Sequence, residues 1–212
     1  MRYLLPALLL LLCTCAPRPD VPPADATETI GSARVQLKQP ERRPPAPEVV
    51  APRPLPDTFN VLSEAAAVQL SPDWWRDFRI QPSTQNDYLD SHLTLYSKAE
   101  KLEMRFHLRP ERPNDPLAGL PFIRVQTMAT NLGSNEEDAV TAVHSLGEEE
   151  LAALNADWGR LYTFRPKRSY SDRAHAQLLA VYREGRGLVT TVLLFNKPPG
   201  TLDDRQLMLR FR

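Results

Sequence analysis

The chain has 212 residues, and its 26 lysines and arginines balance its 26 aspartates and glutamates. Without net charge it has no field to draw it to nucleic acid or to an anionic membrane surface, which argues against nucleic-acid binding. Both cysteines lie within the first fifteen residues. The rest of the chain therefore has neither a disulfide of its own nor a thiol nucleophile.

The first fourteen residues are organised like a secretion signal. Arg2 supplies a positive charge, and residues 3–12 form an apolar run. This run matches the apolar core of a signal peptide and is shorter than the roughly twenty residues that a membrane-spanning helix needs. We therefore predict a signal peptide at residues 1–14.

The end of this segment resembles the lipobox of bacterial lipoproteins. It reads Leu12-Cys13-Thr14-Cys15, where the family prefers Ala or Ser and then Gly, Ala or Ser before the cysteine. The resemblance implies cleavage before Cys15, a diacylglycerol on its thiol and a fatty acid such as palmitate on the new amine, which together anchor the chain to a membrane. In a Gram-negative envelope, Ala16 after the cysteine implies the outer membrane, with the protein facing the periplasm.

Two other interpretations of the signal stay open. Ordinary cleavage after Ala16 has small residues at the required positions, but Pro17 would then follow the cut and disfavours it. An uncleaved anchor is the third possibility.

Residues 15–56 form the predicted linker, which begins at the lipidated cysteine. Prolines recur at eleven positions: 17, 19, 22, 23, 40, 44, 45, 47, 52, 54 and 56. Proline removes backbone donors, and the segment has too few large apolar groups to offset the entropy cost of ordering, so we predict a disordered, extended tether. Residues 44–47 are an alternative docking motif for an aromatic groove. Residues 33–37 alternate in polarity and are a candidate edge strand.

Residues 57–212 are predicted to form one globular domain, because that length suffices for a single core. In chain order, the sequence predicts a short helix from Ser71, with Pro72 at its first position and Trp74, Trp75 and Phe78 on it. A hairpin follows at residues 92–96 and 102–109, where apolar and polar residues alternate. Residues 122–129 are predicted as another strand.

The second half of the domain is predicted to begin with helices at 136–144 and 146–158. Each is preceded by a Ser-x-x-Glu capping pattern. A short strand at 161–164 and a hairpin at 177–183 and 188–195 follow, with glycines in its turn. Residues 190–195 are nearly all apolar or β-branched, which predicts a central strand covered on both faces. Alternation at 207–211 predicts a final edge strand.

These elements predict an α+β domain. We expect a mostly antiparallel sheet of about six to seven strands, with two or three helices packed on one face.

No sequence motif for catalysis, phosphate binding or calcium binding is visible, so we predict no enzymatic activity and no cofactor. His92 and His107 lie on the two arms of the first hairpin, but two solvated histidines explain the pattern better than a metal site, and we assign no metal ligand. Asp138 and its acidic neighbours are explained by a helix N-terminus.

The most unusual polar stretch is 160–173, where basic and aromatic residues interleave. Arg165, Lys167, Arg168 and Tyr170 form a candidate binding patch, because cations beside aromatic faces bind anionic polymers, sugars or carboxylate-bearing peptides. The alternative is a strand whose aromatics point inward and whose cations coat the outside. Trp75 is added to the patch because it points away from the helix face shared by Trp74 and Phe78.

The functional prediction is a lipid-anchored, non-catalytic binding or scaffold subunit of a cell-envelope assembly for secretion, motility or wall association. Its predicted partners are the membrane, through the lipid, and a protein or peptidoglycan. One alternative is a periplasmic hydrolase of cell-wall glycan that uses carboxylates such as Glu103, Asp172 or Glu184, which would have to face one cleft. Another is a small-ligand carrier.

Overall fold

The computed structural model describes residues 54–82, 87–136 and 140–212. The predicted signal peptide, Cys15, most of the proline-rich linker and the candidate strand at 33–37 lie outside the described residues. No helix in the described part is both long and apolar enough to cross a membrane.

The described part contains nine strands and five helices. The strands are β1 (Val68–Leu70), β2 (Arg79–Gln81), β3 (Leu93–Ser97), β4 (Leu102–Pro110), β5 (Val140–Ser145), β6 (Trp158–Phe164), β7 (His175–Arg183), β8 (Gly187–Phe195) and β9 (Leu209–Phe211). The helices are α1 (Asp57–Ala65), α2 (Pro72–Trp75), α3 (Pro121–Leu132), α4 (Glu148–Leu154) and α5 (Leu202–Gln206). Seven strands form one antiparallel sheet in the order β2-β3-β4-β8-β7-β6-β5, and β1 and β9 form a second, two-stranded sheet. The α+β prediction is confirmed.

Both predicted hairpins are confirmed. Met104 pairs with Leu95 between β3 and β4, and all four apolar residues predicted to face inward on β4 are buried. In the hairpin of β7 and β8, Gly185 and Gly187 take φ of 69° and 111°. The fourth strand in the order is β8, and all nine of its residues are buried. A strand in the middle of a sheet covered on both faces has no exposed side, which explains the unbroken apolar run.

Two clusters of buried side chains lie on the two faces of this sheet, since alternate residues of β7 and β8 belong to different clusters. Leu193 belongs to the first cluster, together with residues of α1, α2, α4, α5 and the small sheet. Val192 belongs to the second, together with residues of α3. The prediction that the helices lie on one face is therefore corrected, because α3 contributes its buried side to the other.

Residues 122–129 were predicted as a strand, and this is wrong: they lie within the helix α3. Val125, Ala129 and Leu132 are buried at helical spacing, while Phe122 and Ile123 are about two-fifths exposed, at 41% and 40%. Proline occupies the first helical position, where the missing N–H costs no hydrogen bond.

The predicted helix at 136–144 is also wrong, because β5 occupies most of that range and residues 137–139 lie outside the described part. The following helix, α4, is shorter than predicted. Its N-cap is Gly147, whose N–H donates to Glu150, and it ends where Asn155 adopts a left-handed conformation with φ of 52°. Trp158 and Gly159 belong to β6 instead. The final strand forms, but in the small sheet with β1.

Candidate binding surface

The loop between β6 and β7 carries the three basic residues of the predicted patch, Arg165, Lys167 and Arg168. We call residues 165–170 the cationic loop. Its start is fixed to the end of α3, since the Ser134 N–H donates to the Arg165 carbonyl at 2.8 Å and the Lys167 N–H donates to the Leu132 carbonyl at 2.9 Å. These bonds hold the first half of the loop against a helix that is itself packed on the sheet.

Tyr170 anchors the other half of the loop. It is 4% exposed and belongs to the second core cluster. Arg105 on β4 donates to the Tyr170 carbonyl at 3.1 Å, and its guanidinium carbon lies 4.6 Å from the centroid of the tyrosine ring. Burial raises the pKa of the Tyr170 hydroxyl, and the nearby arginine opposes that change only in part. Tyr170 is therefore a structural anchor, and the prediction that it belongs to an exposed patch is corrected.

Arg105 is itself held by Glu103, whose carboxylate lies 2.7 Å from the arginine Nε. The side chains of the pair are 9% and 15% exposed, so each charge depends on the other for compensation. This contribution is not visible in the sequence, because Arg105 occupies an ordinary polar position in the alternating pattern of β4. Its role follows from its contact with Tyr170, which is 65 residues away in the chain.

The three cations of the loop have different surroundings. Arg165 is exposed and forms an ion pair with Glu136 at 2.6 Å, which reduces its capacity to bind another anion. Lys167 lies with its Nζ 5.0 Å from the centroid of the Tyr88 ring, and the Tyr88 hydroxyl lies 3.1 Å from the Ser169 hydroxyl oxygen. Arg168 is exposed. Lys167 beside the Tyr88 ring, together with Arg168, is thus at least partly exposed and has no ion pair among the described residues; their binding role stays a prediction.

Trp75 does not join this surface. It is 7% exposed and belongs to the first cluster, whereas Tyr170 belongs to the second. Trp74 is the more exposed tryptophan, the reverse of the prediction. Helix α2 is only four residues long, so a helical face was a poor guide to which ring would be buried.

His92 and His107 do come together, with ring centroids 4.8 Å apart. The Nδ1 of His92 accepts from the Leu108 N–H at 3.0 Å, and the Nδ1–H of His107 donates to the Asp90 carbonyl at 3.0 Å. Burial lowers the pKa of both rings, that of His107 to about 4. Across the described ranges, no three histidine, cysteine or carboxylate side chains converge as a metal site would require.

The carboxylates of the hydrolase alternative do not share a cleft. Glu103 pairs with an arginine near one end of β4, while Glu184 lies in the turn between Arg183 and Gly187, and Gly187 faces Pro110 at the other end of β4. Glu103 and Pro110 are seven residue steps apart along the strand, roughly 23 Å at the rise of an antiparallel strand. The side chain of Asp172 is 94% exposed on the loop.

Two of the pockets lined by described residues have volumes of about 20 and 30 Å³. Each is large enough for only one or two water molecules. The first contains Asp115, which forms ion pairs with Arg109 and Arg124. A backbone hydrogen bond from Leu117 and the two arginines lower the pKa of that carboxyl. The carboxylate of Asp115 is thus already paired with two arginines that line the same pocket.

No family model, curated protein or solved structure matches this chain.

Proposed function

We propose that this protein is a lipid-anchored cell-envelope component that acts by binding, as a non-catalytic scaffold subunit. The lipobox-like sequence before Cys15 supports the anchor, and the proline-rich residues up to position 56 support a tether that carries the domain away from the membrane. The expected location is the outer membrane facing the periplasm in a Gram-negative host.

The observation that carries the binding role is the rigid attachment of the cationic loop. Lys167 and Arg168 lie on a loop whose backbone is bonded to α3 at its start and to Arg105 further along. Cations held in place lose less conformational entropy on binding than cations on a mobile loop. The partner we propose is an anionic envelope component, either peptidoglycan carboxylates or an acidic face of a protein.

The anchor is tested by growing cells that express the full chain with a clickable palmitate analogue and by mass spectrometry of the purified product. We expect labelling in the membrane fraction and its loss in Cys15→Ser. A chain without lipid in the soluble fraction would contradict the anchor.

The binding role is tested by reversing two cations of the loop, Lys167→Glu with Arg168→Glu, in the full chain. The matched control reverses Arg112 and Arg186, two exposed arginines that lie outside the loop. We expect the Lys167 and Arg168 variant, and not the control, to lose either co-sedimentation with purified peptidoglycan or cross-linking to an envelope protein. The assay in which binding is lost identifies the partner. If both variants bind as the native protein does in both assays, the loop has no role in binding.

A further inference from the structure

The two edges of the large sheet differ in how they are protected. At one edge, β2 has only three residues, begins with the exposed Arg79 and is followed by Pro82. Short length, a charge and a proline are the usual means by which an edge strand avoids pairing with another chain. At the other edge, β5 has six residues and reads Val-Thr-Ala-Val-His-Ser. It contains no proline, lysine, arginine, aspartate or glutamate.

Within the described part of the chain, β5 pairs with β6 alone. The register against β6 shifts between Val140 and Ala142, and beyond that shift no other described strand pairs with the outer row of N–H and C=O groups of residues 142–145, so a further strand can pair there. Residues 142–145 are all exposed, and Val143 is 52% exposed although it is apolar. Val143 faces the same side of the sheet as its partner Tyr162, which is buried. A strand added beside β5 would gain backbone hydrogen bonds and cover Val143.

Charges surround this uncharged strand, and acidic groups outnumber basic ones. Glu148, Glu149 and Glu150 follow it in the first turn of α4. Glu136 precedes it, within a run of three acidic residues in the sequence. The described bases nearby are Arg165, which pairs with Glu136, and Arg160, whose guanidinium carbon lies 5.7 Å from the centroid of the Trp158 ring. His144 pairs with Glu150.

This distribution of charge indicates which kind of strand can pair with the edge of β5. In an antiparallel pair of two copies, the acidic start of one β5 would lie against the acidic turn that follows the other. Like charges there oppose self-association, as charged residues beside a β-prone segment generally do. A strand with cations on both sides of an apolar centre would meet opposite charge at each end.

We propose that the edge of β5 binds an extended segment of a partner protein, with alternating apolar residues in its middle and lysine or arginine at both ends. The segment adds an eighth strand to the sheet, antiparallel or parallel to β5. This surface adjoins the cationic loop through the ion pair of Arg165 and Glu136, but it is formed by other residues and carries the opposite charge. The inference therefore does not depend on the function proposed above. A scaffold with two surfaces of opposite charge joins two different partners.

The probe is a fluorescent peptide, Lys-Lys-Val-Thr-Val-Thr-Val-Lys-Lys, added to the full-length chain in detergent. Its control has glutamate at the four lysine positions. We expect at least tenfold tighter binding of the lysine peptide by fluorescence anisotropy. Hydrogen exchange should slow at the amides of residues 140–145 when the peptide binds and stay unchanged at β2, which separates strand addition from adhesion to the acidic surface.

Two variants and their matched controls test the residues. Val143→Lys should weaken binding of the lysine peptide at least tenfold, while Val61→Lys, at a position 67% exposed on α1, should leave that binding unchanged. Reversal of Glu148 and Glu149 to lysine should weaken binding of the same peptide at least fivefold. Reversal of Asp203 and Asp204, exposed acids in the first turn of α5, should not.

Three results would overturn the proposal. The first is equal binding of the two peptides, and the second is binding without protection of residues 140–145. The third is a dimer, seen by analytical ultracentrifugation without peptide, in which those amides are already protected. Circular dichroism of each variant establishes that it is folded before its binding is compared.

Discussion

Replacing His107 with phenylalanine should remove much of the acid sensitivity of folding. In the native protein, burial lowers the pKa of His107 to about 4, whereas an exposed histidine in the unfolded chain titrates near its ordinary 6.5. At a pH between these values, His107 is protonated in the unfolded chain but neutral in the folded protein. The contribution of His107 titration to stability is therefore fully present above about pH 6.5 and is lost as the pH decreases towards 4.

The magnitude follows from the two pKa values. For a single group that titrates at 6.5 when unfolded and at about 4 when folded, lowering the pH from 7.5 to 5 costs roughly 2 kcal/mol of unfolding free energy. Phenylalanine keeps a ring against His92 but cannot donate to the Asp90 carbonyl, which costs about 1 kcal/mol at any pH. The variant should thus be less stable than the native protein at pH 7.5 and more stable at pH 5.

The assay is urea unfolding followed by tryptophan fluorescence at half-unit steps from pH 7.5 to 5. His175→Gln serves as the control, because His175 is exposed. We expect the curves of stability against pH to cross for His107→Phe and to stay parallel for the control. His92 and the acidic groups remain in all three proteins, so their contributions cancel. Parallel curves for native protein and His107→Phe would refute the argument.

Three further tests, two of them with a matched control substitution, examine the packing by the same urea assay. Phe106→Ala, at a position 0% exposed, should cost about 3–5 kcal/mol, whereas Phe122→Ala, at a position 41% exposed, should cost under about 1 kcal/mol. Gly187→Ala should destabilise by more than about 3 kcal/mol, because its φ is 111° and a Cβ would lie 2.2 Å from a backbone oxygen; Gly185→Ala, with φ of 69° and open space, should cost about 1 kcal/mol. Glu103→Leu should cost about 3 kcal/mol, since it leaves a buried arginine without its carboxylate. Equal losses within either matched pair, or a neutral Glu103→Leu, would contradict these assignments.

Strands with a regular two-residue pattern were predictable because the pattern is local. Leu102, Met104 and Phe106 face one core, and the hairpin turn at Gly185 carries its own signal. The two segments assigned to the wrong type of secondary structure, 122–129 and 136–144, lie where local signals compete. Residues 122–129 are apolar enough for a strand, and the helix is favoured by packing of Val125 and Ala129 on the second face. The acidic run before β5 resembled a helix start.

The candidate site was predictable only in part. Interleaved basic and aromatic residues identified the loop at 165–170, because such composition is visible in the sequence. Which of its members would be buried was not visible. Tyr170 is buried because Arg105, 65 residues earlier in the chain, lies beside its ring. Tyr88 joins the loop through a contact that spans 81 residues.

The sequence by itself determined the charge balance, the positions of both cysteines, the proline-rich stretch and the strands of the two hairpins, since each depends on composition or on neighbours within a few residues. The tertiary structure alone decided that Trp75 and Tyr170 are buried in different cores, that α3 covers the second face and that β5 forms an edge. Burial and sheet order are relations between residues far apart in the chain. They depend on which surfaces meet, and no local pattern encodes that.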